Sequence, residues 1–327
     1  MRRIQNLKNN QKNPDQSAPS AAFQGGRRMT KAKFPALITT LKSPYGPWQA
    51  AYSVDALRRA WASVRANKGG SGSDGETLAQ FEGQLEQNLQ SLREELINLR
   101  YQPHPVKQIL VPKANANWRP LTLWAIRDRV AQRATYNFLE PVFDRQFLPC
   151  SFGFRNGRST RDAAKAILQA RHDGAYWALD ADIQDCFGQM KSPIVLKQLS
   201  RWRVPKPLRE LIRRWLHTRI GNAWRPEQTV AGTSQGSALS PLLCNLYLHS
   251  FDQAMQQRGL TLVRYADDFV ILTRRKTAVK WAKMWAAANL KRVRLRMNPH
   301  KTRIVNFDEG FQFVGWFFIR DEMFSLK

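Results

Sequence analysis

Cysteine is scarce. Cys150, Cys186 and Cys244 stand far apart and form no CxxC pair, and the five histidines form no HxxxH pair. That argues against a disulfide framework and a zinc site and suits a reducing cytoplasm. Long apolar runs are missing too. No stretch of about eighteen apolar residues appears, so no membrane span is expected. The start, Met1-Arg2-Arg3-Ile4-Gln5-Asn6, has the charge of a secretory leader but no apolar segment behind it, so no signal peptide is expected. Acids are few. Asp and Glu total 25 against 52 Lys and Arg, a net charge of +27. Such an excess repels itself and points to a polyanionic partner.

With 43% hydrophobic residues in 327, a packed core is within reach and length suits about two domains. Residues 1–50 are polar and basic, with Asp15 the single acid before Asp55, and read as a disordered basic arm. It either binds nucleic acid or merely solubilises. Helices are expected over 54–64, 78–99 and 127–143, where apolar residues line one face, over 160–171, over 194–220 (split at Val204-Pro205-Lys206-Pro207) behind Ser192-Pro193, from 240 on, and over the Ala- and Trp-rich 277–290. Strands are expected at 106–112, 176–183, 262–272 and 310–318. The glycine-rich loop Gly69-Gly70-Ser71-Gly72 lacks the ending of a P-loop. Lys113 and Arg119 flank a turn, where two cations either clamp phosphates or stand solvated.

The scarce acids cluster. Leu262-Val263-Arg264-Tyr265-Ala266-Asp267-Asp268-Phe269-Val270-Ile271-Leu272 reads as a β-hairpin with Asp267 and Asp268 at its tip. Two like charges beside a core are costly unless a cation neutralises them, and Mg²⁺ suits hard oxygen ligands. A solvated turn is the plain alternative. In Tyr176-Trp177-Ala178-Leu179-Asp180-Ala181-Asp182-Ile183, alternation puts Asp180 and Asp182 on one face of a strand. Acids on an otherwise apolar strand are a local conflict of the kind that marks function. Three carboxylates on adjacent strands can hold two metal ions about 4 Å apart and serve nucleotidyl transfer.

Taken in order, Ser151-Phe152-Gly153-Phe154-Arg155, Ser234-Gln235-Gly236 with Ser240-Pro241-Leu242-Leu243, Tyr265-Ala266-Asp267-Asp268 and Asn298-Pro299-His300-Lys301-Thr302 resemble reverse transcriptases of the bacterial group II intron type, from about Asn67 to Trp316. The resemblance implies an α+β right-hand polymerase: fingers over 51–175, and over 176–327 a palm on an antiparallel sheet backed by helices. It implies RNA-directed DNA synthesis, with an RNA template, a DNA or RNA primer, dNTPs and two Mg²⁺ ions, Mn²⁺ being the alternative.

By position, the resemblance assigns metal binding to Asp182, Asp267 and Asp268, with the Ile183 backbone completing a shell. It makes Phe187 a gate against the ribose 2′-hydroxyl, or else a core residue. It gives Lys113 and Arg119 the triphosphate, Gln235 and Gly236 the nucleotide and templating base, and Lys301 a place near the pyrophosphate, or else solvent. Residues 310–316 resemble a primer-grip hairpin. Asp180 is expected to be structural and Asp185 to lie near the triphosphate. Ser234 stands where the family has proline. Eleven residues follow Trp316, so a thumb is expected to be absent or supplied in trans by a partner protein or a structured RNA. The pathway stays open between intron mobility, a retron-like or CRISPR-associated system and antiviral defence. Two other activities stay open: RNA binding of maturase type and RNA-templated RNA synthesis.

Overall fold

A mainly helical N-terminal region runs into a mixed one built on an acid-bearing sheet. The computed structural model describes residues 44–112, 118–221, 233 and 236–326. Most of the expected basic arm, Lys113, Ser234 and Gln235 lie outside the described residues. The arm's expected limit at residue 50 moves back. Tyr45 is buried and bonds the Trp202 carbonyl at 2.9 Å, and a 3₁₀ turn, Trp48–Tyr52, buries Ala51 and Tyr52.

The N-terminal elements are α1 (Val54–Ala66), α2 (Leu78–Gly83), α3 (Leu85–Ile97), β1 (Lys107–Pro112), β2 (Trp118–Leu123), α4 (Ile126–Asp144) and α5 (Thr160–His172). Ser53 caps α1, accepting from the Ala56 amide at 3.2 Å, so that Leu57, Ala60, Trp61 and Val64 face inward. The single helix expected over 78–99 is two. Thr77 and Gln80 close a capping box, and the chain breaks at Gly83-Gln84, where glycine weakens the helix. The short α2 thereby sets Phe81 against Trp61, ring centres 5.0 Å apart. Strands β1 and β2 pair antiparallel as a hairpin, with Leu110 and Trp118 exposed.

Beyond them come β3 (Trp177–Asp182), α6 (Cys186–Gln189), α7 (Ser192–Arg201), α8 (Lys206–Leu216), α9 (Ser240–Gln256), β4 (Thr261–Tyr265), β5 (Asp268–Thr273), α10 (Lys276–Arg292), β6 (Arg303–Asn306), β7 (Phe311–Phe313), β8 (Trp316–Ile319) and β9 (Glu322–Ser325). Strands β6 and β9 were not expected, being four residues long and partly polar. Four strands form an antiparallel sheet in the order β4-β5-β3-β6, and β7-β8-β9 form a second sheet.

The four-stranded sheet is apolar on both sides. Leu179, Ala181, Phe269 and Ile271 join a core shared with α9 and α10, and that core continues to Leu57, Leu89 and Val130 of the N-terminal helices. Ala178, Val263, Val270 and Leu272 join a second core with Ala163 and Ile167 of α5 and Phe311 and Phe318. Adjacent residues of a strand point to opposite faces, so each strand is held from both sides.

Asp128 of α4 is buried where the N-terminal helices meet. It accepts from the Tyr101 hydroxyl and from the His104 amide at 3.0 Å, and Tyr101 in turn accepts from the Trp215 indole at 3.0 Å. Burial, only partly offset by these donors, pushes its carboxyl up to about 6. A carboxyl raised in the folded state stabilises the fold when protonated. That contribution is full below about pH 4 and is lost as pH rises through about 6. Urea midpoints measured across this window should fall more steeply for the wild type than for Asp128→Asn. Parallel curves would show that folding leaves the Asp128 carboxyl unshifted.

Candidate active site at the β4–β5 hairpin

The hairpin turn is two residues, Ala266 and Asp267, with Tyr265 paired to Asp268. The expectation that both acids sit at the tip is corrected in one respect. Asp267 occupies the turn, while Asp268 is the first residue of β5 and lies directly opposite Asp182 of β3. The sheet register therefore faces one carboxylate with another. The Ile183 amide donates to the Asp267 carbonyl at 3.1 Å, tying the turn to β3. Asp182 is held from the far side by Asn298, whose side-chain amide donates to Oδ2 at 3.2 Å and whose backbone amide donates to the Asp182 carbonyl at 2.7 Å. Lys301 Nζ lies 3.3 Å from the same Oδ2. Asp180 is engaged by Arg303 at 2.8 Å, in keeping with a structural place.

The cluster is short of positive charge. Burial first, and then Asp267 and Asp182, push the Asp268 carboxyl up to about 7, and burial raises Asp267 as well. Three oxygen donors of this kind suit a hard divalent cation chemically. As they stand, no three carboxylate, imidazole or thiol groups among the described residues converge as a ready metal cage.

Two clefts adjoin the hairpin. One, about 330 Å³, opens over Asp180, Asp182, Asp268, His300, Lys301 and Arg303. The other, about 590 Å³, starts at Tyr265 and is walled by Arg129, Arg133, Tyr136, Arg155 and Arg158. Phe187 is half-buried at the start of α6, its ring 6.2 Å from that of Phe154 beside the larger cleft. Asp185 is exposed. Gly236 lies at φ +119°, and a Cβ there would come within 2.3 Å of the Thr122 carbonyl of β2. Only glycine lets that loop cross the β1–β2 hairpin so closely. The backbone of Arg119 sits in β2 opposite Val111.

Arg264 was not singled out by motif. It is fully buried and spends all five N–H groups. Nε and Nη2 grip Asp252 of α9 at 2.7 and 2.6 Å; Nη2 also reaches Ser151 Oγ at 2.7 Å; Nη1 donates to Asn245 Oδ1 at 3.0 Å and to the Ala266 carbonyl at 2.9 Å. Asn245 passes the link on to the Gly153 carbonyl at 2.8 Å. A Cβ on Gly153 would lie 2.3 Å from the Ala266 amide, so the 151–154 loop rests directly on the turn. The signal was present: an arginine within an apolar strand run needs a buried partner.

An antiparallel sheet backed by helices, with two acids at a hairpin, a third facing them from the neighbouring strand and a basic cleft beside them, defines a right-hand polymerase of fingers-and-palm architecture. Residues 111–318 match the reverse transcriptase (RNA-dependent DNA polymerase) family, and the chain belongs to it. Its members are nucleotidyltransferases. The chain is 29% identical over 290 residues to protein YkfC of Escherichia coli K12, with 76% of each covered. It is 30% identical over 199 residues to the group II intron-encoded protein LtrA of Lactococcus lactis subsp. cremoris, covering 61% of this chain and 33% of LtrA. Telomerase from Candida albicans, solved with a telomeric RNA fragment, superposes with a TM-score of 0.53 at 16% identity, over 70% of this chain and 47% of that one. Apo telomerase from Candida tropicalis gives 0.55 at 13% identity, over 68% and 49%. At these identities the telomerases speak to fold alone. Among the described residues no helix is long and apolar enough to cross a membrane.

Removing one partner of a buried ion pair should cost far more than removing both. Arg264→Leu should lower unfolding free energy by about 3–5 kcal/mol, and Arg264→Leu with Asp252→Leu should recover most of that. Urea denaturation of the two variants measures it. Equal losses would mean the pair contributes only its volume.

Proposed function

We propose that this chain extends a primer 3′-hydroxyl with dNTPs on an RNA template, with Asp182, Asp267 and Asp268 as the acids of the reaction centre. The observation that carries this reading is the direct opposition of Asp182 and Asp268 across β3 and β5, with Asp267 in the adjoining turn. The three carboxylates, with the backbone at Ile183, would hold Mg²⁺. The bound ions would lower the barrier by activating the 3′-hydroxyl and stabilising the departing pyrophosphate.

The chain's own residues do the positioning. The arginines of the larger cleft supply cations for a polyanionic strand, and Tyr265 joins that cleft to the hairpin. Asn298 and Lys301 hold one oxygen of Asp182, leaving the other turned to the reaction. Lys301, mostly exposed, is free to swing toward a leaving pyrophosphate and give it a proton. Phe187 stands five residues beyond Asp182 and excludes a 2′-hydroxyl by contact. Arg119 and Lys113 would reach the triphosphate from the β1–β2 hairpin, while Gln235 and Gly236 would pack on the nucleotide.

Primer extension on poly(rA) with Mg²⁺ tests the reading. Asp267→Asn should lower incorporation by at least about 10²-fold with primer–template affinity retained. Wild-type protein that incorporates no dNTP, or a variant as active as wild type, would sink it. Phe187→Ala should raise NTP use relative to dNTP by about tenfold or more. An unchanged NTP-to-dNTP ratio would return Phe187 to a packing role.

A further inference from the structure

Helix α10 buries one face and leaves another uncovered. Val279, Ala282, Ala286 and Leu290 enter the core against the sheet and α9. At 100° per residue the opposite stripe is Trp281, Met284, Trp285 and Ala288. Trp281 and Met284 are each 61% exposed and Trp285 is 41% exposed, although large apolar side chains are rarely left out in a row. The helix carries Lys276, Lys280, Lys283, Lys291 and Arg292 and no acid. The four lysines lie exposed along one flank of the stripe. On the other flank the Arg258 guanidinium lies 3.8 Å from the Trp285 ring centre. The stripe is remote from the reaction centre. The α10 core contacts are with Leu179, Ala181, Phe269 and Ile271, whereas Asp182 and Asp268 alternate with these residues and stand on the other side of the sheet.

We propose that the outer face of α10 is a second nucleic-acid site, which binds single-stranded RNA by stacking bases on Trp281 and Trp285 while the lysine flank follows the phosphates. Aromatic side chains beside a cationic track are what a flexible, unpaired strand requires, since each base offers a π-face and each phosphate a charge. Charge complementarity favours this occupant over a protein. Lysine is depleted from protein–protein interfaces, whereas counterion release at phosphates rewards it. The face would let the chain hold an RNA while its cleft is occupied, and it does not depend on the polymerase reading.

The full-length protein is first saturated with primer–template duplex to fill the cleft. A labelled oligouridylate of about sixteen nucleotides is then titrated, with anisotropy and tryptophan fluorescence as readouts. The wild type should bind it with quenching. Trp281→Ala with Trp285→Ala should weaken that binding by about tenfold or more while leaving duplex affinity unchanged, and the corresponding Phe variants should keep most of it. Lys280→Glu with Lys291→Glu should flatten the dependence of log affinity on log salt by about 1 or more, which tests the site even if the tryptophan variant misfolds. Oligouridylate affinity unaffected by either pair overturns the proposal. So does tryptophan-dependent binding to phosphatidylglycerol vesicles without any effect on RNA, which would make the face a lipid contact. Loss of dNTP incorporation with intact oligouridylate binding would count against the polymerase reading alone.

Discussion

Everything at the reaction centre depends on one register: β3 runs antiparallel to β5 so that Asp182 faces Asp268. Two carboxylates directly opposite destabilise a strand pair. The pairing holds because the same strands are clamped on both faces, by Leu179, Ala181, Phe269 and Ile271 on one side and by Ala178, Val270 and Leu272 on the other. A one-residue slip of β3 would exchange its two faces and send Asp182 toward α9 and α10. The apolar cores therefore supply the free energy that keeps the acids in repulsive proximity, a repulsion that bound cations would relieve under the proposed function.

Arg264 solves the matching problem at the turn. Asp267 sits in a two-residue connection with Ala266 at φ +60°, a conformation a non-glycine residue does not hold without support. Its supports are the Arg264 bond to the Ala266 carbonyl, the Ile183 bond to the Asp267 carbonyl and the contact with Gly153. Through Ser151 and Asn245 the same guanidinium ties the hairpin to the loop that leads into α5 and to α9. One buried side chain thus sets the turn, the cleft wall and the helix behind it into a single register.

What could be read from sequence follows the strength of local physics. The α1 and α4 helices showed in apolar spacing, and β3 and the β4–β5 hairpin in acids lodged among apolar residues. The motif order singled out Asp182, Asp267 and Asp268, which the sheet register brings together. The failures have causes of the same kind. The break at Gly83-Gln84 is a tertiary accommodation of Phe81 against Trp61, invisible to a periodicity that continues across it. The short β6 exists through its pairing with β3, a partner more than a hundred residues away in the chain that local pattern does not reveal. Arg264 was legible as a conflict of charge within an apolar strand, but its partners Asp252, Asn245 and Ser151 come from two other elements.

Charge distribution links the reaction centre to the rest of the surface. A chain at +27 gains nothing by placing three acids together unless their local field opposes the general one. Under the proposed function, Arg129, Arg133 and Arg158 would draw a polyanion toward the hairpin, while the acids would repel it at the tip unless cations accompanied it. On that same reading, strand binding and metal binding would be coupled through Coulomb interactions. On α10 no acid moderates the lysines, and the exposed indoles add a surface that phosphate attraction does not require. A face that only screened the repulsion of a basic protein would carry solvated polar side chains. Trp281 and Trp285 make sense there when something flat and apolar, carried on an anionic thread, comes to lie on them.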